Sequence, residues 1–373
     1  MGANDPPGRT VHVVGSVPLQ TAEEVFRALA NGLGDRLRRI PDGEVGDRAL
    51  FAGWQVATFA RHPDFEPVPG RRLIEIVKHR RIRPGAARSE IGFADLGFAA
   101  AARNSYQVFD RLRSDGVIRP GLRFLVSLPS PANCLAMVVA QDDIPVVEPA
   151  YEGAMLAEVD AIVSTIPAED LAIQWDVPWE VRAWDGSPPR FLAQPWFSPT
   201  PAGIVDRLHR LASKVPPAAE LGYHLCHGDY EHAGNVILGL GRRPRSRLVR
   251  SAASRLLREV SFRMTPPPAD MRTVTEMASA LLDGAPRPID FLHLPVPRRA
   301  GDAYFKPLAS FRPPPGLDVY LGLVHLSDGL PGARRRIASA EKVLTDFGVA
   351  TECGWGRRDP ETIPGLIALH RHI

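Results

Sequence analysis

His224 and Cys226 stand two residues apart in GYHLCHGDY, and Cys353 lies in VATECGWGR. Each segment reads as a short apolar strand that runs into a polar, glycine-containing loop, which places three soft metal ligands at two strand ends. Side chains at i and i+2 of a strand point to the same face. His224 and Cys226 can therefore converge on one ion. One imidazole and two thiolates suit zinc, which is usually four-coordinate and in catalytic sites keeps a position for water or substrate. Cys353 follows Cys226 by 127 residues, far outside the local spacing of a zinc finger or ribbon. Such a site has to be assembled by a large fold, which favours a catalytic over a structural metal. A plainer account of the same residues is that both cysteines are small buried hydrophobes and His224 is a core histidine.

The rest of the chain supplies elements that could position such a set. Short apolar runs recur at residues 11–17, 36–42, 123–129, 171–177, 221–226, 290–295, 319–325 and 348–353. Helical patterns lie between them, including TAEEVFRALANGL with Thr21 and Glu24 as a capping box. Strands alternating with helices imply a parallel sheet. Eight such units in 373 residues suit a (β/α)8 TIM barrel with insertions better than a six-stranded open sheet. The expected organisation is one domain over residues 1–373, with residues 65–92, rich in Arg and Pro, as an insertion. Barrel enzymes carry their chemistry at the C-terminal ends of the strands. Reading those ends in order gives Gly15 and Ser16, Asp42 and Glu44, Ser127, Asp176, His224 and Cys226, His293, His325, and Cys353.

Composition narrows the class. A chain that is 45% hydrophobic and 23% charged is ordinary for a soluble globular protein. Three cysteines, with Cys134 as the odd one, cannot build a secreted disulfide framework, and no leader or long apolar run opens the sequence. A cytoplasmic protein with reduced thiols and no membrane partner is expected. The net charge of +3 reflects an arginine-rich composition, densest over residues 242–263. No interleaved aromatic platform accompanies that stretch, so a solvated helix face is expected there and no nucleic-acid partner. Aromatic residues usually fill the core; of Trp54, Trp175, Trp179 and Trp184, Trp175 and Trp179 flank the Asp176 loop and are the first candidates for an exception that lines a pocket.

Taken together, these motifs resemble the C-terminal catalytic half of cobalamin-independent methionine synthase and its small single-domain relatives, in the superfamily that includes uroporphyrinogen decarboxylase. The marks are H-x-C at His224 and Cys226, E-C-G at Glu352 to Gly354 against the family's D-C-G, and V-G-S at Val14 to Ser16 against I-G-S. The resemblance implies zinc held by His224, Cys226 and Cys353. It implies that Gly15, Ser16 and Glu44 bind an amino-acid thiol, that Asp176 anchors its amino group, and that His325 transfers a proton. Two departures stand out. The family's glutamate zinc ligand on the sixth strand falls at Pro295, which leaves the fourth ligand open: His293, two residues earlier on the same face, or water could take its place, or His293 is a buried hydrogen-bonded histidine; Glu352 is another candidate but should point to the opposite face. The folate-contacting motifs have no counterpart, so a polyglutamyl folate donor is not implied.

The expected activity is zinc-dependent alkyl transfer, with methyl transfer to a homocysteine-like thiolate giving a thioether. The partners are then a small-molecule thiol and an alkyl donor, with a corrinoid methyl-carrier protein as one source of the methyl group. Two alternatives stay open. One is an epoxide-opening transferase resembling epoxyalkane:coenzyme M transferase, with Arg298, Arg299, Arg357 and Arg358 for a sulfonate; the other is a metal-free decarboxylase resembling the uroporphyrinogen enzyme.

Overall fold

The computed structural model describes residues 8–68, 79–189, 192–228 and 267–373. The basic stretch 242–263 lies outside them. Among the described residues nine strands are formed: β1 (Arg39–Pro41), β2 (Phe65–Pro67), β3 (Arg80–Ile82), β4 (Arg123–Pro129), β5 (Leu171–Asp176), β6 (Glu220–His224), β7 (Phe291–Pro295), β8 (Asp318–Val324) and β9 (Gly348–Thr351). Seven of them make one curled parallel sheet in the order β1-β4-β5-β6-β7-β8-β9. The strands are apolar on both faces because helices cover the outside and the curl encloses the inside; every residue of β5 and β7 is buried. Helices fill the crossovers, among them Ala22–Leu33, Ile144–Thr165, Pro201–Ala212, Arg272–Leu282 and Gly329–Ala340. The first begins at the expected capping box, with the Glu24 amide donating to Thr21 Oγ at 3.2 Å and the Thr21 amide donating to the Glu24 carboxylate at 3.3 Å.

The two edges of the sheet meet at one residue. Val11 bridges in parallel to Leu37, just before β1, and to Val349 in β9. The Val11 amide donates to Arg36 O and the His12 amide to Val349 O, each at 2.9 Å. Residues 11–17 therefore make a single two-sided bridge instead of the expected full strand. The reason is competition for the backbone: Val14 O accepts from Gln174 Nε2 at 2.6 Å and Ser127 Oγ at 3.0 Å, so side chains from β5 and β4 replace ladder partners. Residues 65–92 contain the separate antiparallel pair β2–β3, which joins the main body where the Ala140 amide donates to Arg80 O at 2.8 Å.

Register does the positioning. Parallel pairing sets Pro129 beside Asp176, Asp176 beside His224, His224 beside His293, and His293 beside Tyr320. Neighbours in register share a sheet face, so Asp176, His224, His293 and Tyr320 form one layer. At the opposite end of the strands, buried Arg39 pairs with Glu220 and with Asp318 at 3.1 Å, and its guanidinium lies 4.0 Å from the centre of the Phe291 ring.

Near the C-terminal ends, the loops after β4 and β5 are tied by a buried cluster. Ser130 Oγ donates to Glu180, and Asn133 Nδ2 donates to the same carboxylate at 2.8 Å. Burial outweighs these donors and raises the Glu180 carboxyl from 4.5 to about 7. The folded state then holds a proton that the unfolded chain has released between those values, so wild-type stability falls as pH rises through that window and levels off above it. Glu180→Gln removes the titration. Denaturant unfolding at pH 4.5 and pH 8 is expected to show stability shifting in favour of Glu180→Gln by about 1–3 kcal/mol on going to the higher pH. Parallel pH profiles for the two proteins would contradict the assignment.

Candidate metal centre

β6 ends at His224, and Cys226 follows two residues later; β9 ends at Thr351, and Cys353 follows two residues later. The two strand ends bring these three side chains together. Their ligand atoms all lie within 4.8 Å of one another, with Cys226 Sγ to Cys353 Sγ at 3.6 Å and Cys353 Sγ to His224 Nε2 at 3.6 Å. A tetrahedral zinc with Zn–S about 2.3 Å and Zn–N about 2.0–2.1 Å has S···S edges of about 3.8 Å and S···N edges of about 3.5 Å. The observed separations fit that ion. Burial lowers the affinity of His224 for a second proton far below the usual value, helped by His293 and His12, and keeps the ring neutral as a ligand must be. The Gly228 amide donates to Cys226 Sγ at 3.2 Å, and Arg357 Nη1 approaches Cys353 Sγ at 4.0 Å, so both sulfurs face N–H donors.

His293 is beside this group and outside it. Its Nδ1 lies 2.7 Å from His224 Nδ1 and its Nε2 lies 2.9 Å from Thr351 O, so both ring nitrogens face protein partners. Among the described residues no carboxylate joins the three ligands. Pro295 ends β7, and Glu352 is held by Arg358 at 3.0 Å and by His325 Nδ1 at 3.2 Å. His325 is buried, with its Nε2 donating to Val296 O at 2.8 Å, and it reaches the metal group through Glu352, the neighbour of Cys353 in sequence.

Two carboxyls adjoin the centre. Asp176 is raised well above the ordinary carboxylate range by burial, then by Glu44 and Cys353, against the Gln174 amide and Arg357. Glu44 is raised to about 7 by burial and by Asp42, against Arg48 and Arg357. Glu44 has φ of +49°, a left-handed conformation costly for a residue with a side chain. Asp42 holds it there: its Oδ1 accepts from the Glu44 amide at 2.9 Å, while its Oδ2 accepts from Arg48 at 2.6 Å and Ser105 Oγ at 2.6 Å. Gly15 makes the close approach possible, because a Cβ there would overlap a Glu44 carboxylate oxygen and lie 2.9 Å from Ser127 Oγ. Ser16 is packed just as closely: a Cβ on Gly354 or Gly356 would fall 2.5 Å from its Oγ or 2.7 Å from its Cβ.

His12 and Gln174 complete this layer and are absent from the sequence expectations. His12 Nε2 donates to Gln174 Oε1 at 2.8 Å, and Gln174 Nε2 donates to Asp176 Oδ1 at 2.7 Å. The signal for Gln174 is its polarity inside LAIQWD, two residues before Asp176 and so on the same face. Trp175 and Trp179 are core residues, as tryptophans usually are and not the pocket-lining exceptions; Trp179, in the helix after β5, lies with its ring centre 4.7 Å from that of Trp196.

No protein-family model matches the sequence, and no curated protein matches it. Solved structures do resemble the fold. A candidate vitamin-B12 independent methionine synthase from Listeria monocytogenes aligns over 99% of this chain and 99% of its own, at 14% identity and a TM-score of 0.50. A methyltransferase from Methanosarcina mazei aligns over 99% of this chain and 95% of its own, at 11% identity and a TM-score of 0.47. At these identities the first likeness concerns the fold, an α/β architecture of TIM-barrel type.

One glycine governs where Cys353 sits. A Cβ at Gly322 of β8 would lie 2.8 Å from Glu352 Cα, 3.0 Å from Thr351 O and 3.1 Å from Val296 N, all backbone atoms that cannot rotate away. Gly322→Ala is expected to destabilise the protein by about 1–3 kcal/mol and to weaken cobalt binding by displacing Cys353. Urea denaturation and a cobalt titration check it; unchanged stability and affinity would contradict the close packing.

Proposed function

We propose that this chain is a zinc-dependent thiol alkyltransferase on a closed (β/α)8 barrel whose eighth staves are completed by the Val11 segment, and that its reaction is methyl transfer to an amino-acid thiol, giving a thioether. The observation that carries this reading is the His224, Cys226, Cys353 set, with edges that suit tetrahedral zinc. Zinc bound there supplies the positive charge that keeps an incoming thiol as a thiolate near neutral pH. His224 Nε2, Cys226 Sγ and Cys353 Sγ are the atoms that hold it, with water or substrate in the remaining position.

The neighbouring side chains are suited to an ammonium. Glu44 raises the cost of ionising Asp176, Asp42 raises that of Glu44, and a substrate ammonium beside Asp176 and Glu44 would relieve both by stabilising the carboxylates. Gly15 packs against Glu44, and Ser16 packs against Gly354 and Gly356 beside Cys353. His325, whose Nδ1 lies 3.2 Å from the carboxylate of Glu352, the residue before Cys353, is the group assigned to proton transfer. What remains for the protein is to align thiol and donor, which makes a bimolecular displacement an oriented one. The donor is a small molecule or a corrinoid methyl-carrier protein, and a cytoplasmic setting would keep both cysteines reduced.

Arg357 beside Cys353 favours a second reading, in which the thiol carries a sulfonate and the electrophile is an epoxide. The paired acids weigh against an anionic group. A metal-free decarboxylase leaves the three-donor set without a role.

Purified protein is expected to contain one zinc per chain by elemental analysis. Cys226→Ser is expected to lose at least about tenfold in zinc affinity and all zinc-dependent activity while its circular dichroism stays native. Full activity with zinc retained in that variant would sink the ligand assignment.

A further inference from the structure

We propose that His293 is a positioning residue, which accepts the Nδ1 proton of His224 and thereby aims the His224 Nε2 lone pair at the two cysteine sulfurs. The inference rests on the zinc reading above. It follows from a chain of three contacts that leaves one arrangement of protons. A backbone carbonyl can only accept, so the 2.9 Å contact to Thr351 O requires His293 Nε2 to carry a proton. A neutral His293 then presents a bare Nδ1. The 2.7 Å contact between the two Nδ1 atoms therefore requires the proton to sit on His224. That leaves His224 Nε2 unprotonated, and this is the nitrogen that lies 3.6 Å from Cys353 Sγ. The reverse assignment would put two lone pairs against each other at Thr351 O. A cationic His293 is disfavoured because the ring is wholly buried.

A ligating histidine usually gives its second N–H to a carboxylate, a carbonyl or water. Here the acceptor is an imidazole on the adjacent strand, in direct register with the ligand and with its ring centre 4.6 Å away. A carboxylate in that place would add a negative charge to a buried set already holding two thiolates; a neutral acceptor adds none. Thr351, which anchors the far end of the chain, lies two residues before Cys353. One relay thus ties the histidine ligand to the segment that carries the second cysteine.

Cobalt(II) in place of zinc reads the arrangement directly. The wild-type cobalt protein is expected to give one exchangeable, hyperfine-shifted imidazole N–H signal in its proton NMR spectrum, with slow exchange because that proton is buried against His293. His293→Leu is expected to lower cobalt affinity about 10- to 100-fold and to lose the slow exchange. His293→Asn, which offers an oxygen acceptor, is expected to restore affinity to within a few fold of wild type. Two imidazole N–H signals in the wild type would make His293 a ligand and overturn the proposal, whether or not the variants fold. So would equal affinity in wild type and His293→Leu, or an equal loss in the Leu and Asn variants. Failure of the wild type to bind cobalt or zinc at all would overturn the metal reading itself, and it is seen before any variant is made.

Discussion

The constraint on which the site depends is the hydrogen-bonded register of the parallel sheet. Asp176, His224, His293 and Tyr320 come from four strands and share one layer because each is the direct partner of the next. Side-chain direction alternates along a strand, so a slip of one residue between β6 and β7 would turn His293 away from His224. Both cysteines follow the last residues of their strands by two positions, in loops whose course is fixed by that ladder. Glycines permit the approach: Gly322 admits the backbone of the β9 end, and Gly348 leaves room for the Tyr320 ring, which stacks 4.9 Å from His12.

A layer of polar groups in the middle of an apolar sheet costs desolvation energy unless its members satisfy one another. The arrangement meets that condition by chaining them. His12 donates to Gln174, Gln174 to Asp176 and Val14 O, and His224 to His293, which ends on Thr351 O. Burial raises the proton affinities of Asp176 and Glu44, so this part of the layer holds carboxyls that resist ionisation. The proposed binding of an ammonium draws on this concentration of carboxyls. The left-handed Glu44, pinned by Asp42, shows local backbone strain at the same place.

Much of this was legible in the sequence. Seven of the eight apolar runs are strands of the sheet, because continuous apolar segments bounded by polar loops have few other solutions in an alternating chain. The meeting of His224, Cys226 and Cys353 was legible from residue type and from the i, i+2 spacing of His224 and Cys226, with Cys353 at a second strand end. The run at residues 11–17 was not, because Ser127 and Gln174 side chains take the backbone carbonyl that a strand would have used. Nor was the packing of His12 and Gln174, since one polar residue in an apolar run carries no indication of its partner until the register is known. His293, offered by the sequence as a candidate fourth ligand or a buried hydrogen-bonded histidine, has a histidine and a carbonyl as its partners, and those depend on strand order.

The most direct test of the account is zinc-edge X-ray absorption on the zinc-loaded protein, with and without homocysteine. The account predicts one imidazole and two sulfurs in the resting protein, and a third sulfur when the thiol is added. A sulfur count that stays at two with homocysteine bound elsewhere, or a zinc shell without cysteine sulfur, would contradict it.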